Sequence, residues 1–158
     1  LVLPGGKSTT MSRLGAIEGW FEPLRLARAA GMPMFGTCAG MIMLADTVLD
    51  ARADQETVGG LDVVVRRNAF GRQVDSFEVD LSVPALGDEL FPAVFIRAPW
   101  VESVGSSIEI LAEITEGGRA GTIVAVRHAG LLATSFHPEL GPDVRFHRMF
   151  VEIVQGSR

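Results

Sequence analysis

Three short stretches of the chain carry residue types that can do chemistry together. Gly36-Thr37-Cys38-Ala39-Gly40 has the form Gly-x-nucleophile-x-Gly. Small flanking residues let the backbone close a sharp strand-to-helix turn that lifts the nucleophile above the strand end. A helix beginning just after Cys38 would bring its partial positive end to the sulfur and favour the reactive thiolate. A buried structural cysteine is the plain alternative, since free Cys is among the most buried residue types. Glycines on both sides, between a strand and a helix, favour the nucleophile.

His137-Pro138-Glu139 is the second stretch. Residues two apart in an extended segment point the same way, so the imidazole and the carboxylate can lie side by side. Such a carboxylate fixes the histidine tautomer and stabilises imidazolium, while the histidine takes a thiol proton and returns it to a leaving amine. A surface histidine beside an acid is the alternative. A metal site is weaker, because His128 and His147 are the only other imidazoles and neither has ligand-like spacing to His137. The third stretch, Gly5-Gly6-Lys7-Ser8, ends like a phosphate-binding Gly-x4-Gly-Lys-[Ser/Thr] loop, but Leu1 stands where the first glycine belongs. A nucleotide-binding loop is therefore disfavoured. Backbone N–H groups here still suit an anion, and in a cysteine hydrolase that anion is the oxyanion, where one lost donor raises the barrier by roughly 2.7–4 kcal/mol.

These stretches need elements to hold them. Leu1–Leu3 reads as a strand ended by Pro4-Gly5-Gly6, with Ser8, Thr9 and Thr10 offering N-cap side chains. Apolar residues at Leu14, Ile17, Phe21, Leu24 and Ala27 then recur at three or four, predicting helix with a break or restart at Pro23 and a C-cap at Gly31. Pro33–Thr37 reads as a second strand and Met41–Leu49 as a largely buried helix. Further strands are predicted at Val63–Val65, Val74–Leu81, Ala93–Arg97, Ile108–Ile114, Thr122–Arg127 and Leu131–Phe136, with a hairpin turn at Gly117-Gly118 and a final helix over Val144–Val154. Helices alternate with strands early and strands dominate later, which predicts an α/β sheet with a parallel core and an antiparallel extension.

The chain has 158 residues, 47% of them hydrophobic, which excludes disorder and fits a single domain over 1–158. Fourteen basic against 19 acidic residues leave a net charge of −5, so there is no electrostatic footprint for nucleic acid or an anionic membrane. Cys38 is the only cysteine, which makes an internal disulfide impossible. No apolar run approaches the length of a membrane span, and a cytoplasmic protein is expected.

Taken together, Leu1-Val-Leu-Pro-Gly-Gly, Phe35-Gly-Thr-Cys-Ala-Gly40, Arg67-Asn-Ala-Phe-Gly-Arg-Gln-Val-Asp-Ser-Phe77, Phe95-Ile-Arg-Ala-Pro99 and Ser135-Phe-His-Pro-Glu139 resemble the glutaminase subunits of pyridoxal 5'-phosphate synthase, which are class I, triad-type glutamine amidotransferases. The resemblance implies a flavodoxin-like α/β sheet and hydrolysis of L-glutamine to glutamate and ammonia, the ammonia passing to a separate synthase subunit. No cofactor is implied. Carried over residue by residue, Cys38 is the nucleophile, His137 the acid/base and Glu139 its orienting partner. Gly6 and Ala39 supply the oxyanion hole, and Gly6, Lys7, Ser8, Arg67, Ile96 and Arg97 bind glutamine. An arginine suits the α-carboxylate because its fork donates two parallel hydrogen bonds.

Two features depart from the family pattern. Lys7 stands where the family usually has Glu, so the charge at this position is reversed, and either the substrate's ammonium meets a like charge or the lysine points elsewhere. The strand–helix–strand unit with which the family begins has no counterpart before Leu1, which predicts an exposed apolar edge at Leu1–Leu3 and a fragment or marginally stable remnant. A catalytically inactive subunit that still docks on the synthase is the alternative reading.

Overall fold

The computed structural model describes residues 1–70 and 76–157. Near one edge of its main sheet runs β2 (Met34–Thr37), a strand whose four residues are all buried. Parallel neighbours flank it, β1 (Val2–Leu3) on one side and β10 (Leu131–Thr134) on the other. From β10 the sheet continues through β9 (Thr122–His128), β7 (Trp100–Val104) and β4 (Leu61–Arg66) to β3 (Ala45–Leu49), with β8 (Glu109–Ile114) paired on β9. Every pairing of β9 is antiparallel, as is that of β4 with β7, whereas β3 and β4 run parallel. A separate antiparallel hairpin joins β5 (Ser76–Leu81) to β6 (Phe91–Ile96). The parallel core with an antiparallel extension is thus present. Val74, where the sequence starts β5, lies outside the described residues.

Side-chain alternation along β2 sends Met34 to one face of the sheet and Phe35 to the other. On the Met34 face pack α1 (Ser8–Ile17), α2 (Phe21–Ala29) and α3 (Ala39–Leu44), through Phe21, Met41, Ile42 and Leu44. On the Phe35 face lie the β5–β6 hairpin and α4 (Arg145–Gly156), whose Phe146, Met149 and Phe150 at helical spacing are buried. Phe91, Phe95, Phe136 and Phe146 meet there at ring-centroid distances of 4.9–5.6 Å. Each such ring contributes about 1.5–3 kcal/mol by leaving water. This aromatic block braces the strand ends that carry Ile96 and His137.

Several local predictions change. The helix expected over Met41–Leu49 ends at Leu44, and Ala45–Leu49 becomes β3, because its backbone finds a parallel partner in β4. The helix breaks at Gly19 (φ 69°) and restarts as α2, with Pro23 in its first turn, where its missing N–H leaves no intrahelical bond unmade. Helix α1 starts at Ser8, with Lys7 as N-cap and no side-chain cap bond, so Ser8, Thr9 and Thr10 lie inside it. Its buried residues are Ser8, Ser12 and Gly15, whereas Leu14 and Ile17 face outward. A Cβ on Gly15 would stand 2.9 Å from the Phe21 ring, so α1 approaches the protein through its smallest side chains.

Candidate active site

The turns after β1 and β2, the loop after β4 and the end of β6 converge with His137 on one cavity of about 500 Å³. Cys38 stands at the elbow between β2 and α3, 6% exposed, with φ 50° and ψ −105°. Backbone in this region is costly for a side-chain-bearing residue, on the order of 1–3 kcal/mol, and persists only where the surroundings over-determine it. Here they do. A Cβ on Gly36 would lie 2.4 Å from the carbonyl oxygen of Gly40, and one on Gly40 only 1.9 Å from that of Leu3, so no other residue fits either position without displacing backbone. The Cys38 N–H donates to the Thr134 carbonyl at 2.8 Å, which ties the elbow to β10.

Among the described residues, five non-glycine residues have positive φ, and three of them, Cys38, Asn68 and Arg97, line this cavity. The loops carrying Asn68 and Arg97 are joined by a hydrogen bond from the Ala69 N–H to the Ala98 carbonyl, 3.2 Å.

His137 is partly buried, with its backbone N–H on the Val94 carbonyl at 2.9 Å. Its Nδ1 pairs with Glu139 Oε1 at 2.7 Å, leaving Nε2 for the thiol. The hydrogen bond with the Cys38 side chain raises the His137 pKa most; burial opposes, the Glu139 carboxylate adds to the rise, and the result is about 9. A Cβ on Gly5 would sit 2.3 Å from Cε1 of His137, so the imidazole rests directly on the backbone after β1. Cys38 Sγ lies 4.0 Å from the Ile96 carbonyl oxygen.

Every residue singled out from the sequence is at this cavity. Gly6, Lys7, Ser8, Cys38, Ala39, Arg67, Ile96, Arg97 and His137 line it, and Glu139 reaches it through His137. Gly6 adopts φ 145° with nothing within 4 Å of a would-be Cβ. Ala39 is the first residue of α3, so its N–H has no intrahelical acceptor. Arg67 donates from Nη1 to the Asp50 carbonyl at 3.3 Å. The sequence reading missed Thr9, Ile42, Asn68 and Pro99 as lining residues. Only Asn68 carried a usable signal, since Asn tolerates left-handed backbone.

A strained cysteine elbow facing a His–Glu pair at the strand ends of an α/β sheet marks a hydrolase or amide-transfer enzyme of the cysteine type. Residues 1–156 match the SNO glutamine amidotransferase family, and the chain belongs to that family of enzymes. The pyridoxal 5'-phosphate synthase subunit PdxT of Nocardioides sp. is 60% identical over 158 residues, covering 100% of this chain and 78% of that one. Its counterpart in Streptomyces coelicolor is 58% identical, with 100% and 76% covered. A crystal structure of a glutamine amidotransferase superposes with a TM-score of 0.89 at 43% identity, over 98% of this chain and 78% of that one. A putative GMP synthase subunit from Thermoplasma acidophilum shares the fold, with a TM-score of 0.60 at 18% identity over 99% and 72%.

Proposed function

We propose that Cys38, His137 and Glu139 form the triad by which this chain releases ammonia from L-glutamine. The observation that carries the reading is that Cys38 and His137 line one cavity while the Glu139 carboxylate holds His137 Nδ1 at 2.7 Å. The Cys38 thiolate attacks the side-chain amide carbon. The N–H groups of Ala39 and Gly6 receive the oxyanion, and Arg67 and Arg97 hold the α-carboxylate, with Lys7, Ser8 and the Ile96 backbone completing the binding surface. Imidazolium at His137 then protonates the leaving nitrogen, ammonia departs and a thioester remains. A water molecule, deprotonated by His137, hydrolyses the thioester to glutamate and restores the thiol.

By analogy with its relatives, the ammonia passes to a synthase subunit that builds pyridoxal 5'-phosphate in the cytoplasm. No helix among the described residues is long and apolar enough to cross a membrane. The test is glutamate release from L-glutamine by the chain with and without a synthase subunit. Cys38→Ala is expected to lower turnover to background, a fall on the order of 10⁴ or more. Undiminished turnover in that variant would refute the triad.

A further inference from the structure

We propose that the cavity selects amides bearing a carboxylate and no ammonium group, so that deaminated glutamine, 4-carbamoylbutanoate, binds better than glutamine itself. The inference rests on the glutaminase reading of the same cavity and names its ligand class. Three cationic side chains line the cavity from three separate loops: Lys7 after β1, Arg67 after β4 and Arg97 after β6. Among the described residues, no Asp or Glu lines it.

The carboxylates of Asp50 and Glu139 are committed elsewhere. Asp50 offers Arg67 only its backbone oxygen, because its carboxylate accepts from Arg66 Nη1 at 2.8 Å. The Glu139 carboxylate is on Nδ1 of His137. Helix α1 adds first-turn N–H groups with no side-chain cap, and Ser8 and Thr9 of that turn line the cavity. The recognition surface is thus rich in positive charge and donors.

An α-carboxylate satisfies such a surface through the arginine forks. The ammonium of glutamine shares a carbon with that carboxylate and cannot be moved away from the same cations, so the site that attracts one repels the other. Removing the ammonium leaves the carboxylate and the reacting amide untouched and deletes the repulsion. Lys7, exposed like Arg97, stands beside the turn glycines, and its charge sets the preference.

Calorimetric binding to the Cys38→Ala chain, which cannot turn over, tests this with L-glutamine and 4-carbamoylbutanoate, each with Lys7 present and in a Lys7→Glu background. With Lys7, 4-carbamoylbutanoate is expected to bind at least tenfold more tightly; in Lys7→Glu the ratio falls to one or reverses. Equal or tighter binding of glutamine with Lys7 in place, an unchanged ratio in Lys7→Glu, or no binding of either ligand would overturn the proposal. The glutaminase reading has its own readout in the chain with Cys38 intact. There, alkylation of this sole cysteine by iodoacetamide no faster than that of a small free thiol would remove the nucleophile, while the ligand ratio would still decide charge selection.

Discussion

Two turns leave adjacent parallel strands and face the same cavity, yet they are held in opposite ways. The turn after β2 is buried and has no spare volume: Gly36 and Gly40 each meet backbone at distances that exclude a Cβ, and Gly40 does so against the carbonyl of Leu3, in β1 itself. The turn after β1 is exposed, and Gly6 has nothing within 4 Å of its would-be side chain. The nucleophile is therefore clamped by packing on both sides, whereas Gly6 and Lys7 opposite it stand exposed on a turn whose packed position is Gly5, against the His137 ring. Attack geometry belongs to the rigid turn. The exposed one brings Gly6 and Lys7 to the cavity.

The largest expected effect comes from filling the rigid turn. Gly40→Ala places a methyl group against the Leu3 carbonyl and should cost about 3 kcal/mol or more, lowering the melting temperature by roughly 6–12 °C and abolishing activity. A melt indistinguishable from wild type would show that the elbow is not clamped. Next in size, Glu139→Gln removes the carboxylate that orients His137, and kcat should fall by about 10²–10⁴ with little change in KM, as read from steady-state glutamate release.

Substitution in the loose turn should separate activity from stability. Gly6→Ala meets no steric obstacle, but φ 145° strains any residue with a side chain, so the melt should fall by roughly 2–6 °C, less than for Gly40→Ala. Its strained φ turns the N–H away from the oxyanion, so kcat should drop about 10–100-fold, a partial loss of one donor's worth. A large melting shift with intact kcat would reverse the roles of the two turns.

The smallest effect is that of pH. His137 has a pKa raised to about 9, so the imidazolium that protonates the leaving amine is present below that value and is lost above it. Turnover should decline about tenfold per unit as pH rises beyond about 9, and a histidine resonance titrating there by NMR would assign the decline. Stability carries the same sign, because the raised pKa contributes fully below the unfolded value near 6.5 and is lost on passing through about 9. Glu139→Gln should move both transitions downward.

Much of the site was legible because its signals are short. A glycine-flanked cysteine and a His-x-Glu pair each occupy a few consecutive residues, and local backbone rules suffice to read them. The missed residues are of another kind. Thr9 reads as a helix cap, Ile42 as core and Pro99 as a loop residue until the cavity is assembled around them. The face of α1 was similarly hidden: Leu14 and Ile17 supply the periodicity, but Gly15 and Ser12 touch the protein, through the Phe21 ring and a hydrogen bond from the Glu56 N–H to Ser12 Oγ at 2.7 Å.

The sequence by itself determined the alternation of strands and helices, the glycine-flanked cysteine elbow, the His-x-Glu pair and the lysine beside Gly6, since each depends on residue type and near neighbours. Tertiary structure alone decided that Ala45–Leu49 is a strand, that Trp100–Val104 joins the sheet, and that Asn68 and Arg97 share one strained rim. Those outcomes depend on partners far along the chain, as when the Ala69 N–H finds the Ala98 carbonyl or β3 finds β4. Hydrogen bonds and packing between distant segments override local propensity, so no local pattern announces them.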